Sequence, residues 1–550
     1  MLGLWMFAAA VVILLMGYPV AFSLGGTAVL FTLIGSDLLP TIFGITLPWA
    51  PEGVVMGERL FRVARLNALP QGIFGSIMDN YTLVAVPFFV FMGVMLEKSG
   101  LAEELLETMG ILFGRLRGGL AISVVTIGAL LAASTGVVGA SVVTMGVLAL
   151  PVMLKYNYDK GIATGVVASS GTLGQIIPPS IVLVILGDQI GVSVGDLFLG
   201  SFIPGFMLAG LFILWVIFVA FTKPDDVPAL PEDARKVEPA NVSIFVKIAL
   251  MILSFALFYL IASAIVSLIL PTVTFFEANQ AVLPNTLHEF IAVIGLLVLY
   301  VRYWNAPLFF KVVSNLLPPF FLIIVVLATI FFGIATPTEA GAMGAVGAMI
   351  LAAINRRLSL ENLNEAMDQT VRLTSMVFVI LIGATVFTLV FRALGGDRVI
   401  TNFLLDLPGG SAGFLFFSML IIFLLGFFID FIQITFIVVP ILTPIAVQVI
   451  GADPRLSQIF SVVGTSGTPF FNEQLALLWF GVIIAMNLQA SFLTPPFGFA
   501  LFYLKGVAPP SVQTTDIYRG IIPFIAIQLV ALLLIIFFPQ IVLWLPAMAR

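Results

Sequence analysis

The chain has 550 residues, of which 61% are hydrophobic and only 9% charged, with a net charge of −5. Its mean hydropathy is +1.19, whereas a soluble globular chain is about 45–50% apolar and about 25% charged. A water-soluble enzyme and a disordered chain are thereby excluded, and a polytopic α-helical membrane protein is expected. A β-barrel would alternate apolar and polar residues, and the run from Ile248 to Leu270 does not. The negative balance offers no basic face to nucleic acid. With no Cys and one His, His288, the chain has no material for disulfides, thiolate chemistry or a His-based zinc site.

Along the chain, Met1 to Ile34 is too long for one straight span, and Gly17, Tyr18 and Pro19 fall in its middle. Two short helices or one broken helix are expected there, retained rather than cleaved as a signal peptide. The mixed stretch from Gly35 to about Ile77 carries Glu52, Glu58, Arg59, Arg62 and Arg65 and reads as an extramembrane loop with a short amphipathic helix. Apolar spans follow at 78–96, 119–150, 161–187, 197–222, 248–270, 290–303, 312–354 in two segments, 373–394, 411–449, 475–504 and 520–545. A polar loop from Lys223 to Ala240 interrupts them, and no second soluble domain is found.

Charge placement gives the topology. Arg115 and Arg117 precede the 119–150 stretch, and Lys155 and Lys160 follow it. Positive charge marks the cytoplasmic side, and two full spans would need about 40 residues. A hairpin that enters and returns from one side fits better, with its centre at the small, hydroxylated run from Ala133 to Ser141. The 411–449 stretch is similarly long but has Asp406 before it and Asp453 and Arg455 after it, with no basic excess, and should enter from the opposite side. Its centre runs from Asp430 to Thr435.

Each hairpin is followed by a related segment: ASSGTLGQIIPPS at 168–180 and NLQASFLTPPFG at 487–498. Both place small or hydroxylated residues before a Pro-Pro pair, Pro178-Pro179 or Pro495-Pro496. Proline removes a backbone donor, so both helices should break at membrane depth. Unwound backbone is tolerated there only when buried in protein or lining a cavity. Two hairpins from opposite sides, each followed by a broken span, form the inverted repeat of many secondary transporters. Freed carbonyls and hydroxyls are hard oxygen ligands for a small cation. Half-helix N-termini can hold an anionic group.

These residues resemble a known family, the large membrane subunit of tripartite ATP-independent periplasmic (TRAP) transporters, within the ion-transporter superfamily. The similar stretches are GYPVAF at 17–22, the Ser134 hairpin, YDKG at 158–161 leading to GTLGQIIPPS at 171–180, TPTEAG at 336–341, the 430–444 hairpin and LTPPFG at 493–498. The resemblance implies an all-α, sodium-driven importer of elevator type with scaffold and transport parts, working with a small membrane subunit and a periplasmic substrate-binding protein on small organic acids, in the bacterial inner membrane. Carried over by position, one sodium site would use Ser134, Gly136, Ser170, Gly171 and Gly174. A second would use the 430–435 tip with Gln489, Ala490 and Thr494. The tips would face substrate through Thr135, Ser141, Asp430, Gln433 and Thr435. The resemblance implies sodium as the coupling ion and no organic cofactor.

The implied organisation is scaffold spans and an amphipathic arm at 1–110, a first transport part at 111–222, a polar loop plus inserted spans at 223–311, second-repeat scaffold at 312–400, a second transport part at 401–505 and a C-terminal span at 506–550. The chain exceeds the usual family length at 36–75, 223–311 and 451–473.

Several ionisable residues have two readings. Glu339 is either a group at membrane depth or the N-terminal Glu of a helix capped by Thr336 with Pro337 in its first turn. Arg392 either reaches a substrate carboxylate or anchors the outer end of its span. Asp188 and Asp196 either relay protons or sit in water. A membrane-embedded enzyme would need an acid/base or metal constellation that one His, no Cys and scarce mid-span carboxylates do not supply. No Gly-x-x-x-x-Gly-Lys-[Ser/Thr] loop is present, so ATP is not a direct fuel. A passive channel and a self-sufficient anion permease remain as competing transport functions, separated from the first reading by flux against a gradient and by dependence on a binding protein.

Overall fold

Proline has no N–H to give to the carbonyl four residues back, and the architecture is organised around where that donor is missing. The computed structural model describes residues 2–36, 63–135, 138–235, 307–463, 469–495 and 498–549. Most of the 36–75 loop, the inserted spans 248–270 and 290–303, Gly136 and Pro496 lie outside the described residues, as do the side chains of Ser134 and Thr135. Among the described residues, six helices are long and apolar enough to cross a membrane, or up to eight if each bent pair is one span.

The N-terminal segment forms two helices, α1 (Leu2–Leu15) and α2 (Val20–Gly35). They part at Gly17, whose φ of +84° few other residues adopt, and at Pro19. A run of short 3-10, α and π turns over Val63–Met78 leads to α3 (Ala85–Lys98) and α4 (Leu101–Phe113). The first hairpin is α5 (Gly119–Thr135) and α6 (Val138–Lys155). The first broken span is α7 (Lys160–Thr172), a 3-10 turn at Leu173–Gln175, and α8 (Ile181–Ile190). The long α9 (Val194–Thr222) completes the first repeat.

After the polar loop come α10 (Pro307–Phe331), α11 (Pro337–Ile354) and the 34-residue α12 (Leu360–Ala393), then α13 (Gly396–Leu405). The second hairpin is α14 (Gly410–Leu425), α15 (Phe431–Ile437) and α16 (Val439–Ala452). Its returning arm bends by 57° between α15 and α16, where Pro440 cannot donate to the Phe436 carbonyl. A short helix, α17 (Pro454–Ile459), leads into two antiparallel strands, β1 (Ser461–Val463) and β2 (Pro469–Phe471). The second broken span is α18 (Glu473–Leu493) and α19 (Phe499–Val507), followed by α20 (Thr514–Phe537) and α21 (Gln540–Ala549).

The hairpins enter from opposite ends. Lys160 at the base of the first donates Nζ to the Ser511 carbonyl at 2.7 Å, beyond the end of α19. The base of the second is tied by a hydrogen bond from Ser411 to Asp453 and leads, through a bond from Asn472 N–H to the Phe460 carbonyl, into the start of α18. The broken span α18–α19 therefore runs from one hairpin base to the other.

Each hairpin seats a glycine against a serine of its own broken span. A Cβ on Gly128 would stand 2.4 Å from Ser170 Cβ, and one on Gly426 would stand 2.1 Å from Ser491 Oγ. Such small-residue contacts let membrane helices approach closely enough for dispersion to hold them. Outside this bundle, α3 packs on α11 and α12, and α2 on α12, forming a frame around the hairpins.

Trp479 shows how a helix end is satisfied in this interior. The Ile535 carbonyl faces Pro539, which has no N–H, and the fully buried Trp479 donates Nε1 to it at 2.9 Å instead. Trp479→Phe keeps most of the ring packing and orphans that carbonyl. Thermal unfolding in detergent should show a loss of about 1–3 kcal/mol, and a change near zero would mean that water replaces the indole.

Candidate functional site

The Pro-Pro pairs unwind the two spans as their chemistry requires. In the first, Gly174 and Gln175 face Pro178 and Pro179 at the positions where helix donors would stand, and Ser180 Oγ supplies a bond to the Gln175 carbonyl at 3.0 Å. The peptide between the two prolines is cis. In the second, Ser491 faces Pro495, and its carbonyl takes the Thr494 N–H at 3.1 Å instead. Thr494 Oγ1 donates to the Ala490 carbonyl at 2.7 Å. The interrupted backbone is thus rich in oxygen acceptors.

The second hairpin tip is built by a capping box. The Asp430 N–H donates to Gln433 Oε1 at 2.8 Å, and Asp430 Oδ1 accepts from the Phe431 N–H at 2.7 Å. The carboxylate thereby caps α15 and complements its N-terminal dipole. Gln433 shapes the tip as well as lining it.

A cavity of about 350 Å³ lies against this tip. One wall comes from both repeats: Val138 and Gly139 of the first hairpin, Ile181 of α8, Phe428 to Gln433 of the second tip, and Phe492, Phe499 and Tyr503 of the second broken span. The other wall comes from the frame: Leu14 and Val20, Val86 and Val90 of α3, and Leu373, Met376 and Val377 of α12. The polar side chains at the cavity, Asp430, Gln433 and Tyr503, all stand on the hairpin and broken-span side. The frame side is aliphatic throughout.

Of the residues singled out from sequence, Asp430 and Gln433 meet at the cavity. Ser141 and Thr435 are buried behind its lining. Ser170, Gly171, Gly174, Gln489 and Ala490 are buried within the broken spans, and Thr494 is half-buried at the second break. Ser170 Oγ donates to the Val167 carbonyl at 3.0 Å. A Cβ on Gly171 would come 3.0 Å from both the N and Cα of Val142, so this glycine brings the first hairpin's backbone onto α7. Pro178 and Pro179 lie in the described break, with Pro495 at the second.

Residues 7–541 match the family described as the tripartite ATP-independent periplasmic transporter, DctM component. The chain belongs to the DctM family.

Among similar proteins is the C4-dicarboxylate TRAP transporter large permease protein DctM of Vibrio cholerae, 25% identical over 99% of this chain and 97% of that protein. Another is the isethionate TRAP transporter permease protein DctMQ of Oleidesulfovibrio alaskensis, 25% identical over 86% of this chain and 60% of that protein. The crystal structure of the Alcanivorax borkumensis YdaH transporter shares the fold, with a TM-score of 0.53 at 12% identity over 94% of this chain and 98% of that one. Membership makes this DctM-family chain a multi-pass inner-membrane permease component, and the family is one of transporters rather than enzymes.

Some residues of this DctM-family site escaped the sequence reading. Both amide atoms of Gln175 and Gln528 are buried without a hydrogen-bond partner, as are those of Gln489 and the hydroxyl of Thr435, which the sequence had singled out. Gln175 lay inside a quoted motif, and its polarity three residues before Pro178 was the available signal. Gln528 lies on α20, on the same face as Phe524, which meets the Gly165 position of α7, and Ile535, which binds Trp479 of α18. A lone amide in an apolar helix was its signal. Tyr503 had none beyond its type. Glu339 is settled as a cap: it forms a capping box with Thr336 and is exposed, with Pro337 in the first turn.

Proposed function

We propose that this chain is the large permease subunit of a sodium-driven, binding-protein-dependent secondary transporter that imports a small organic acid by an elevator mechanism. The observation that carries the reading is the asymmetry of the cavity walls. At this inner cavity the polar side chains, Asp430, Gln433 and Tyr503, stand on the hairpins and broken spans, and the frame residues that line it are apolar. A wall without polar holds lets the facing body slide past it without breaking directional bonds, which suits alternating access around a site held by one body.

Sodium fits the chemistry of the broken spans. It needs several oxygen ligands at membrane depth, and the carbonyls of Gln175 and Ser491 at the two breaks, each with a lone pair beyond its one hydrogen bond, are candidates. The unpartnered Gln175, Gln489 and Thr435 oxygens are further candidates, since a buried polar atom without a partner is costly. Ser134, Gly136, Ser170, Gly171 and Gly174 would serve one ion, and Gln489, Ala490, Thr494 and the second tip the other. The substrate class follows the relatives' printed names, a C4-dicarboxylate for one and isethionate, a sulfonate, for another. Both are small oxyanions. Partnership with a small membrane subunit is supported by the relative named DctMQ, of which this chain spans 60%. A periplasmic binding protein would deliver the acid.

The test is thermal unfolding in detergent against sodium, with choline holding ionic strength constant. A ligand of the folded state stabilises by RT ln(1 + [L]/Kd), about 2.7 kcal/mol at 100 times Kd. A graded, sodium-specific rise that is weakened in Ser170→Ala supports the reading. Equal melting in both salts sinks sodium coupling.

A further inference from the structure

A second cavity, of about 620 Å³, opens along the same helix as the first. The first is lined by Leu373 to Val377 of α12, and the second by Leu381 to Ala393. Val377 and Arg392 are fifteen residues apart, about 22 Å along the axis at 1.5 Å per residue. The two cavities therefore succeed one another from the hairpin tips toward the end of the molecule where the second hairpin has its base.

Two guanidinium groups line this outer cavity, Arg65 of the 63–68 turn and Arg392 in the last turn of α12. Arg65 donates Nη1 to the Ala393 carbonyl at 3.1 Å, which pins the turn to the helix end. That bond uses one of five donors on Arg65. Among the described residues no carboxylate lines the cavity. Among the described lining residues, only the C-terminal end of α12, about −0.5 charge, opposes these two full positive charges. The opposite wall belongs to the transport part. It includes Gln189 at the end of α8 and Phe436 with Pro440 at the bend of the second hairpin.

We propose that this cavity is a second, outer oxyanion site, in which Arg65 and Arg392 take a carboxylate or phosphate group bidentately between frame and transport part. Planar guanidinium forks match both groups. Two sources share that chemistry: a soluble organic acid on its way to the tips, or the headgroup of an anionic lipid whose chain lies against the apolar lining.

The test uses the full chain in mixed micelles and reads melting temperature. One arm titrates sodium succinate against sodium chloride at equal sodium and ionic strength. The other titrates dioleoylphosphatidylglycerol against dioleoylphosphatidylcholine. A saturable rise with either anion is expected, its apparent Kd weakened about tenfold in Arg392→Gln and in Arg65→Gln, and retained in Gly25→Ala, which lines neither cavity. A rise with succinate alone assigns the site to a soluble acid, and one with phosphatidylglycerol alone to lipid. If Arg392→Gln does not fold, Arg392→Lys, which keeps the charge and loses the fork, should still weaken binding. No anion-dependent rise in the wild type, or a rise untouched by both arginine substitutions, overturns the proposal. A sodium response at the tips can fail or hold independently of either outcome.

Discussion

Asp430→Asn should abolish most transport while leaving the fold intact. Asparagine caps a helix about as well as aspartate, so stability should change by no more than about 0.5 kcal/mol. The charge that faces the inner cavity is lost. A contact to a charged group is worth about 1.5–3 kcal/mol, so uptake into proteoliposomes with the cognate binding protein should fall by about ten- to a hundredfold. Asp430→Ala should add a stability loss of about 1 kcal/mol, because the Phe431 N–H bond goes with the charge. Wild-type uptake in the asparagine variant would reduce Asp430 to a cap and remove the tip from the substrate path.

Gly520→Ala should be among the most damaging single-methyl changes in the chain. A Cβ there would stand 1.9 Å from the Gly161 carbonyl oxygen, and one on Gly165 would stand 2.2 Å from the Gly520 carbonyl oxygen. Helix propensity alone would favour alanine by about 0.8–1 kcal/mol. The backbones of α7 and α20 leave no room for it, so the helices must part, at a cost of about 3 kcal/mol. Because α7 carries Ser170 and Gly171, the sodium stabilisation proposed for this chain should fall together with melting temperature. Gly25→Ala, with nothing within 4 Å of the added carbon, is the control and should be neutral or slightly stabilising. Equal behaviour of the two variants would show that the α7–α20 seam yields easily.

The hairpins and broken spans were readable because their signals are local. Charge beside an apolar stretch and a Pro-Pro pair within one act through backbone chemistry that no distant residue can reverse. The place of Glu339 in a capped helix start was readable for a similar reason, since a cap needs only its neighbours, whereas Asp430 was legible as a hairpin tip and its capping role was not. Tyr503, Gln528 and Trp479 were not. In a soluble helix an apolar stripe marks the inner face, but here lipid and core are both apolar, so hydropathy does not say which side of α18, α19 or α20 looks inward. The partners of these residues come from elements far along the chain, as the bond from Trp479 to Ile535 shows. Gln433 combines both cases: its place at the tip was legible, and its bond to the Asp430 N–H required the turn to be seen.

The helix Glu473–Leu493 is almost wholly enclosed by protein, and this bears on how the chain is made. It carries Asn487, Gln489 and Ser491 in an otherwise apolar run, and α20, which closes over it, is synthesised later. Asn487 finds the Met419 carbonyl of the earlier α14 at 2.8 Å and Ser491 lies against Gly426, so one flank is covered by chain already made, and the arrival of residues 514–537 closes the other. Biogenesis therefore has an order built into it: the second broken span waits, partly exposed, for the last long helix. A ribosome stalled or a chain cut before that helix would leave the hairpins and broken spans assembled in outline but open on one flank, and quality-control proteases would find them there.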